Sequence, residues 1–131
     1  MAAPLIMGFS AAIEQFPATY QNLTDLGHKK QLLEALQVHK IAYRVNGGGI
    51  ASIVSPTLPN TDVQALLLNS VTELALATGS ACSSKEIEPS HVLTSMGLST
   101  ALAEKTLRLS FHEGITLEQI DTLAGWIKRF S

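Results

Sequence analysis

IAYRV at 41–45 and ASIVS at 51–55 each gather β-branched residues, and only NGGGI stands between them. A parallel pair needs a crossover of a dozen or more residues, so a gap this short forces neighbouring strands to run antiparallel. Two strands joined by a tight turn is therefore the expectation for 41–55. The glycines at 47–49 fit a turn better than a phosphate loop, because they lack both the GxGxxG spacing and a GK[ST] ending.

TLRLSF at 106–111 alternates as a half-buried strand does, and ELALA at 73–77 reads as another. The helical segments have their own signals. Leu5, Ile6, Phe9, Ala12 and Ile13 share one face of a helix over 5–15 that Pro17 is expected to end. A second, longer helix is expected from a Thr24 or Asp25 cap to about His39, with Leu26, Leu32, Leu33, Leu36 and Val38 as its stripe. Asn60 or Thr61 caps a short helix that turns Val63, Leu66 and Leu67 inward. Pro89 opens a helix carrying Val92, Leu93 and Met96 that ends at Gly97. Ser99 caps the next, and Thr116 with Gln119 has capping-box spacing for the last, along Ile120, Leu123 and Ile127. The sum is an α+β fold: a small mixed or antiparallel sheet of three to four strands covered by helices, with a long helix in the N-terminal third.

The chain has 131 residues, which predicts a single domain over 1–131. A 46% hydrophobic and 15% charged composition is apolar for that size, and it implies that some surface meets a partner. The net charge is −2 and the nine basic residues are dispersed, so a nucleic-acid partner is excluded. Residues 2–13 are apolar, but no lysine or arginine precedes Lys29, and the run is too short to cross a bilayer. Neither a signal peptide nor a membrane partner is predicted. A single cysteine makes no intrachain disulfide, which points to a reducing, cytoplasmic address. The N-terminal helix packs either on its own domain or on a surface outside this chain.

Two residues stand out chemically. Cys82, the lone thiol, lies in GSACSSKEIEPS at 79–90 with no apolar neighbour larger than Ala81. A cysteine kept for packing sits on an apolar face; this one sits among small residues at 78–88, a segment read as a mobile loop. Lys85 and the following helix N-terminus favour its thiolate, while Glu86 and Glu88 oppose it. A functional thiol and an incidental surface thiol both remain open. Arg108 lies inside an otherwise apolar strand, where a guanidinium either holds a carboxylate or faces solvent beside Glu104 or Glu118. His28, His39, His91 and His112 lack ligand spacing and read as surface or capping residues.

GSACSS, then EPSHVL at 88–93, MGLS at 96–99, LRLS at 107–110 and EQID at 118–121 resemble, in order and spacing, the C-terminal small domain of NifS/IscS-type cysteine desulfurases. APLIMGFSAAIEQ at 3–15 is similar to the helix that joins their two domains, which makes 1–16 an inter-domain helix. The resemblance implies the class V aminotransferase fold and a pyridoxal phosphate cofactor that labilises L-cysteine. A mobile cysteine then takes the sulfur, leaving alanine and a protein persulfide for a sulfur-acceptor protein. By the matching motifs, Cys82 would be the attacking thiolate and Arg108 the clamp on the substrate carboxylate. His112 stands where the family usually has glycine. GHKK at 27–30 does not match the family's cofactor-anchoring lysine segment, so the resemblance implies a separate cofactor-binding large domain as partner. The alternative is a stand-alone sulfur-acceptor or regulatory module without desulfurase activity.

Overall fold

A computed structural model describes residues 3–25, 27–48, 50–72, 74, 76–78 and 90–131, with the side chains of 17, 19, 22–25, 77 and 78 left out. In chain order its elements are α1 (Ala3–Asp25), α2 (His28–Val38), β1 (Arg44–Val45), β2 (Ile53–Val54), β3 (Pro56–Thr57), α3 (Val63–Ser70), β4 (Ala77–Thr78), α4 (His91–Ser95), α5 (Thr100–Glu104), β5 (Leu107–Ser110) and α6 (Leu117–Arg129).

β5 organises the rest. It is the middle strand of β2-β5-β4, antiparallel to both neighbours, with Val54 opposite Leu109 and Ala77 opposite Arg108. Leu107 and Leu109 are buried while Arg108 and Ser110 are exposed. This is the period of two that the sequence shows. The buried side meets Leu32 and Leu36 of α2, Leu66 of α3, and Ile120, Leu123, Ala124 and Ile127 of α6 in one core. Leu93, Leu98 and Ala103 form a smaller cluster under α4 and α5.

The antiparallel, helix-covered sheet matches the expected α+β class, but several local expectations are corrected. The segments at 41–45 and 51–55 do not pair as a tight hairpin. β1 pairs with β3, Arg44 opposite Thr57, whereas β2 pairs with β5. Ile53 to Thr57 thus runs as one extended stretch that changes partner at Ser55, because Val54 finds its burial beside Leu109.

Pro17 does not end α1, which continues to Asp25. The proline has no amide to offer the Ile13 carbonyl, and α1 runs on past it with Ile13 exposed. α1 is consequently the longest helix among the described residues, and α2 is shorter than expected. Gly27, left-handed at φ 65°, separates the two in place of a Thr24 or Asp25 cap. Within the expected α2 stripe, Val38 faces solvent, since the buried row is His28, Leu32, Leu36 at four-residue spacing. Leu26 lies outside the described residues.

α3 is capped by Asp62, whose Oδ1 accepts from the Ala65 amide at 3.0 Å. Thr61 is fully buried with its hydroxyl 2.8 Å from Ser131 Oγ, so neither it nor Asn60 serves as cap. Of the strand expected at 73–77, Glu73 and Ala75 lie outside the description, and β4 is Ala77–Thr78. The Ser99 cap and the Thr116/Gln119 capping box are as the spacing predicts.

Candidate functional site

The sheet has two faces, and only one is covered by the helices of the core. The other carries Arg108 on its central strand, exposed, with Ser110 two residues on and half-buried Ile53 opposite Ser110. A strand interior is otherwise a poor place for a guanidinium; the pleat makes it possible by sending alternate side chains outward. Neither Glu104 nor Glu118, nor any other carboxylate among the described residues, forms an ion pair with Arg108. Among the described residues no carboxylate takes up its five donors, which suit a planar, bidentate acceptor.

Cys82 and the rest of the expected loop over 78–88 lie outside the described residues, except for the backbone of Thr78 at the end of β4. β4 pairs directly with the Leu107–Arg108 portion of β5. The segment from 79 onward thus departs from the strand next to Arg108 and returns at Ser90, the N-cap of α4.

The histidines divide. His28 is buried, contrary to the surface or capping role its isolated position suggests. Its ring lies 6.0 Å from that of Phe111, Nδ1 is 3.1 Å from Gln31 Oε1, and Nε2 has no hydrogen-bond partner among the described residues. A lone histidine gives no sequence signal for such burial; only its place four residues before Leu32 hints at it. His39 Nε2 is 2.9 Å from Asp121 Oδ1, while His112 Nδ1 accepts from the Gly114 amide at 3.0 Å and turns the chain after β5. No group of three or more metal-ligating side chains occurs among the described residues.

Three of the described lysines are engaged away from Arg108. Lys29 Nζ donates to the Gly48 carbonyl at 2.8 Å, Lys105 Nζ donates to the Pro59 carbonyl at 2.6 Å, and Lys30 pairs with Glu34 at 3.7 Å. Two clefts lie elsewhere. One, of about 590 Å³, runs along α2 past Lys29, Leu33 and Tyr43; the other, of about 370 Å³, lies between Asp62, Lys105 and Phe130. Neither is lined by Arg108. Among the described residues these lysines and clefts do not form a site for the pyridoxal phosphate cofactor beside Arg108.

Fold and face together define a small α+β domain that offers an arginine from the centre of an open antiparallel sheet. No family model matches the chain. The cysteine desulfurase of Frankia sp. is 32% identical over 137 residues, covering 95% of this chain and 31% of its own length. The mitosomal cysteine desulfurase of Encephalitozoon cuniculi is 26% identical over 129 residues, covering 95% of this chain and 30% of its own length. The solved NifS-like protein from Rickettsia africae superposes with a TM-score of 0.66 at 21% identity, over 89% of this chain and 30% of that one. The chain is a homologue of the cysteine desulfurases, and it spans about 30% of the length of the curated relatives it matches, as the C-terminal small domain of a NifS/IscS-type enzyme would. No helix among the described residues is long and apolar enough to cross a membrane.

Proposed function

We propose that this chain is the persulfide-forming part of a cysteine desulfurase, acting in the cytoplasm together with a pyridoxal-phosphate-binding large domain. The net conversion is L-cysteine to L-alanine plus protein-bound sulfur. Arg108 holds the substrate carboxylate through two parallel N–H···O bonds. The Cys82 thiolate attacks the substrate sulfur: an S–S bond forms, the substrate's carbon–sulfur bond breaks, and its electron pair with a proton completes alanine. The persulfide then passes to a sulfur-acceptor protein. Neither nucleic acid nor a membrane is a partner.

One observation carries this reading. β4 pairs with β5 at Arg108, and Cys82 follows Thr78 by four residues. Four residues of chain reach at most about 14 Å, a length that supports reading Cys82 and Arg108 as parts of one site. The large domain has a surface to dock on as well. Ile6, Phe9, Ile13, Phe16 and Tyr20 recur along α1 at alternating steps of three and four, all of them exposed. That spacing forms the seam by which one helix packs against another.

The test mixes the chain with a pyridoxal-phosphate-binding desulfurase domain and L-cysteine, then follows alanine release and the mass of the Cys82 peptide. One added sulfur on that peptide is expected, abolished in Cys82→Ser. Arg108→Ala should reduce kcat/KM by about tenfold to a hundredfold, the cost of losing a charge-assisted contact. Neither alanine nor a sulfur adduct would defeat the proposal. Loading that is indifferent to Arg108→Ala would instead favour a sulfur acceptor filled by another enzyme.

A further inference from the structure

Among the described residues Arg108 has no ion-pair partner, so its aim is set by the backbone of β5. What holds the start of that strand is a directional relay of buried hydroxyls. Thr106 Oγ1 donates to the Leu102 carbonyl at 2.8 Å, and it lies 2.7 Å from Thr57 Oγ1. With the Thr106 proton committed, Thr57 must donate to Thr106. Thr57 Oγ1 in turn accepts from Asn46 Nδ2 at 2.8 Å, and the same Nδ2 donates to the Ser55 carbonyl at 3.1 Å, which fixes the amide's orientation. Thr57 and Thr106 are 2% and 1% exposed. The relay thus runs from the end of β1 through β3 and the first residue before β5 to the last turn of α5. It coincides with the isolated bridge Thr57↔Thr106 that joins the two sheets.

Stability alone does not call for these hydroxyls. Replacing both members of a buried hydrogen-bonded pair with apolar groups of the same shape is close to neutral, and valine has the shape of threonine. Valine packing, unlike a hydroxyl relay, sets no direction and tolerates sliding. A misplacement of about 1 Å at a substrate-holding group can cost roughly a hundredfold in rate.

We propose that Asn46, Thr57 and Thr106 are positioning residues for Arg108, their buried relay fixing where β5 begins and hence where the guanidinium stands. The proposal rests on the assignment of Arg108 to the substrate carboxylate, but its first test does not. Thr57→Val/Thr106→Val removes both hydroxyls together: Asn46 Nδ2 keeps its bond to the Ser55 carbonyl and loses the one to Thr57, while the Leu102 carbonyl also accepts from the Lys105 amide. Native-state hydrogen exchange on the chain by itself should show the Leu107–Leu109 amides about tenfold faster, with α6 unchanged and Thr57→Ser/Thr106→Ser restoring protection. Unchanged exchange at 107–109, or acceleration shared equally by α6, would overturn the proposal. With the large domain and L-cysteine, the valine pair should lower kcat/KM about tenfold and the serine pair should restore it; kcat/KM unmoved by valine, or not restored by serine, would count against a positioning role. If the unsubstituted mixture makes no alanine, the desulfurase reading fails, and the exchange experiment still decides whether the relay governs the strand that bears Arg108.

Discussion

α1 and α6 are both helices with an apolar stripe, yet they end up in opposite situations. α6 buries Ile120, Leu123, Ala124 and Ile127 against the sheet, starts at a reciprocal capping box, and carries Lys128 and Arg129 in its last turn, where they suit the helix dipole. α1 has no charged residue in its first or last turn that would favour its ends, and it leaves Phe9 at 69% and Phe16 at 64% exposure. The same period of hydrophobicity therefore says that a helix will be covered without saying by what. One stripe finds its cover within this chain; the other stands exposed among the described residues.

Substitutions sharpen the contrast. The largest effect is expected for Ile127→Ala: it empties a site that is 0% exposed and should cost about 2–5 kcal/mol, read by urea unfolding with Trp126 fluorescence as the probe. Thr116→Ala removes the acceptor of the Gln119 amide and should cost about 1 kcal/mol in the same assay. Phe9→Ala should change the stability of the chain alone by no more than about 0.5 kcal/mol, despite deleting a larger side chain than Ile127. A loss above 1 kcal/mol there would mean that α1 packs on its own domain, which would break the comparison.

Legibility in the sequence followed how local each determinant is. β5 was readable because alternation over TLRLSF is a property of consecutive residues, and α6 because Thr116 and Gln119 sit three apart. The partner of each short strand was not. Whether Ile53–Val54 pairs with 44–45 or with 109–110 depends on where Val54 finds apolar neighbours, which is a tertiary fact. Pro17 misled for a related reason, since its cost depends on whether water reaches the carbonyl it abandons. His28 carries no local mark of burial beyond its place four residues before Leu32. The site divides in the same way: the outward facing of Arg108 follows from alternation, while the hydroxyl relay behind it links residues 46, 57, 102 and 106 and leaves no linear motif.

The alternation in β5 has one further consequence. Core leucines and the outward arginine occupy odd and even places on a single strand, so solubility of the fold and presentation of the guanidinium share one parity. An insertion or deletion of one residue absorbed by sliding this strand would bring a charge into the apolar layer and a leucine to the outer face. Length changes upstream of Leu107 are thus tolerable only where a loop takes them up.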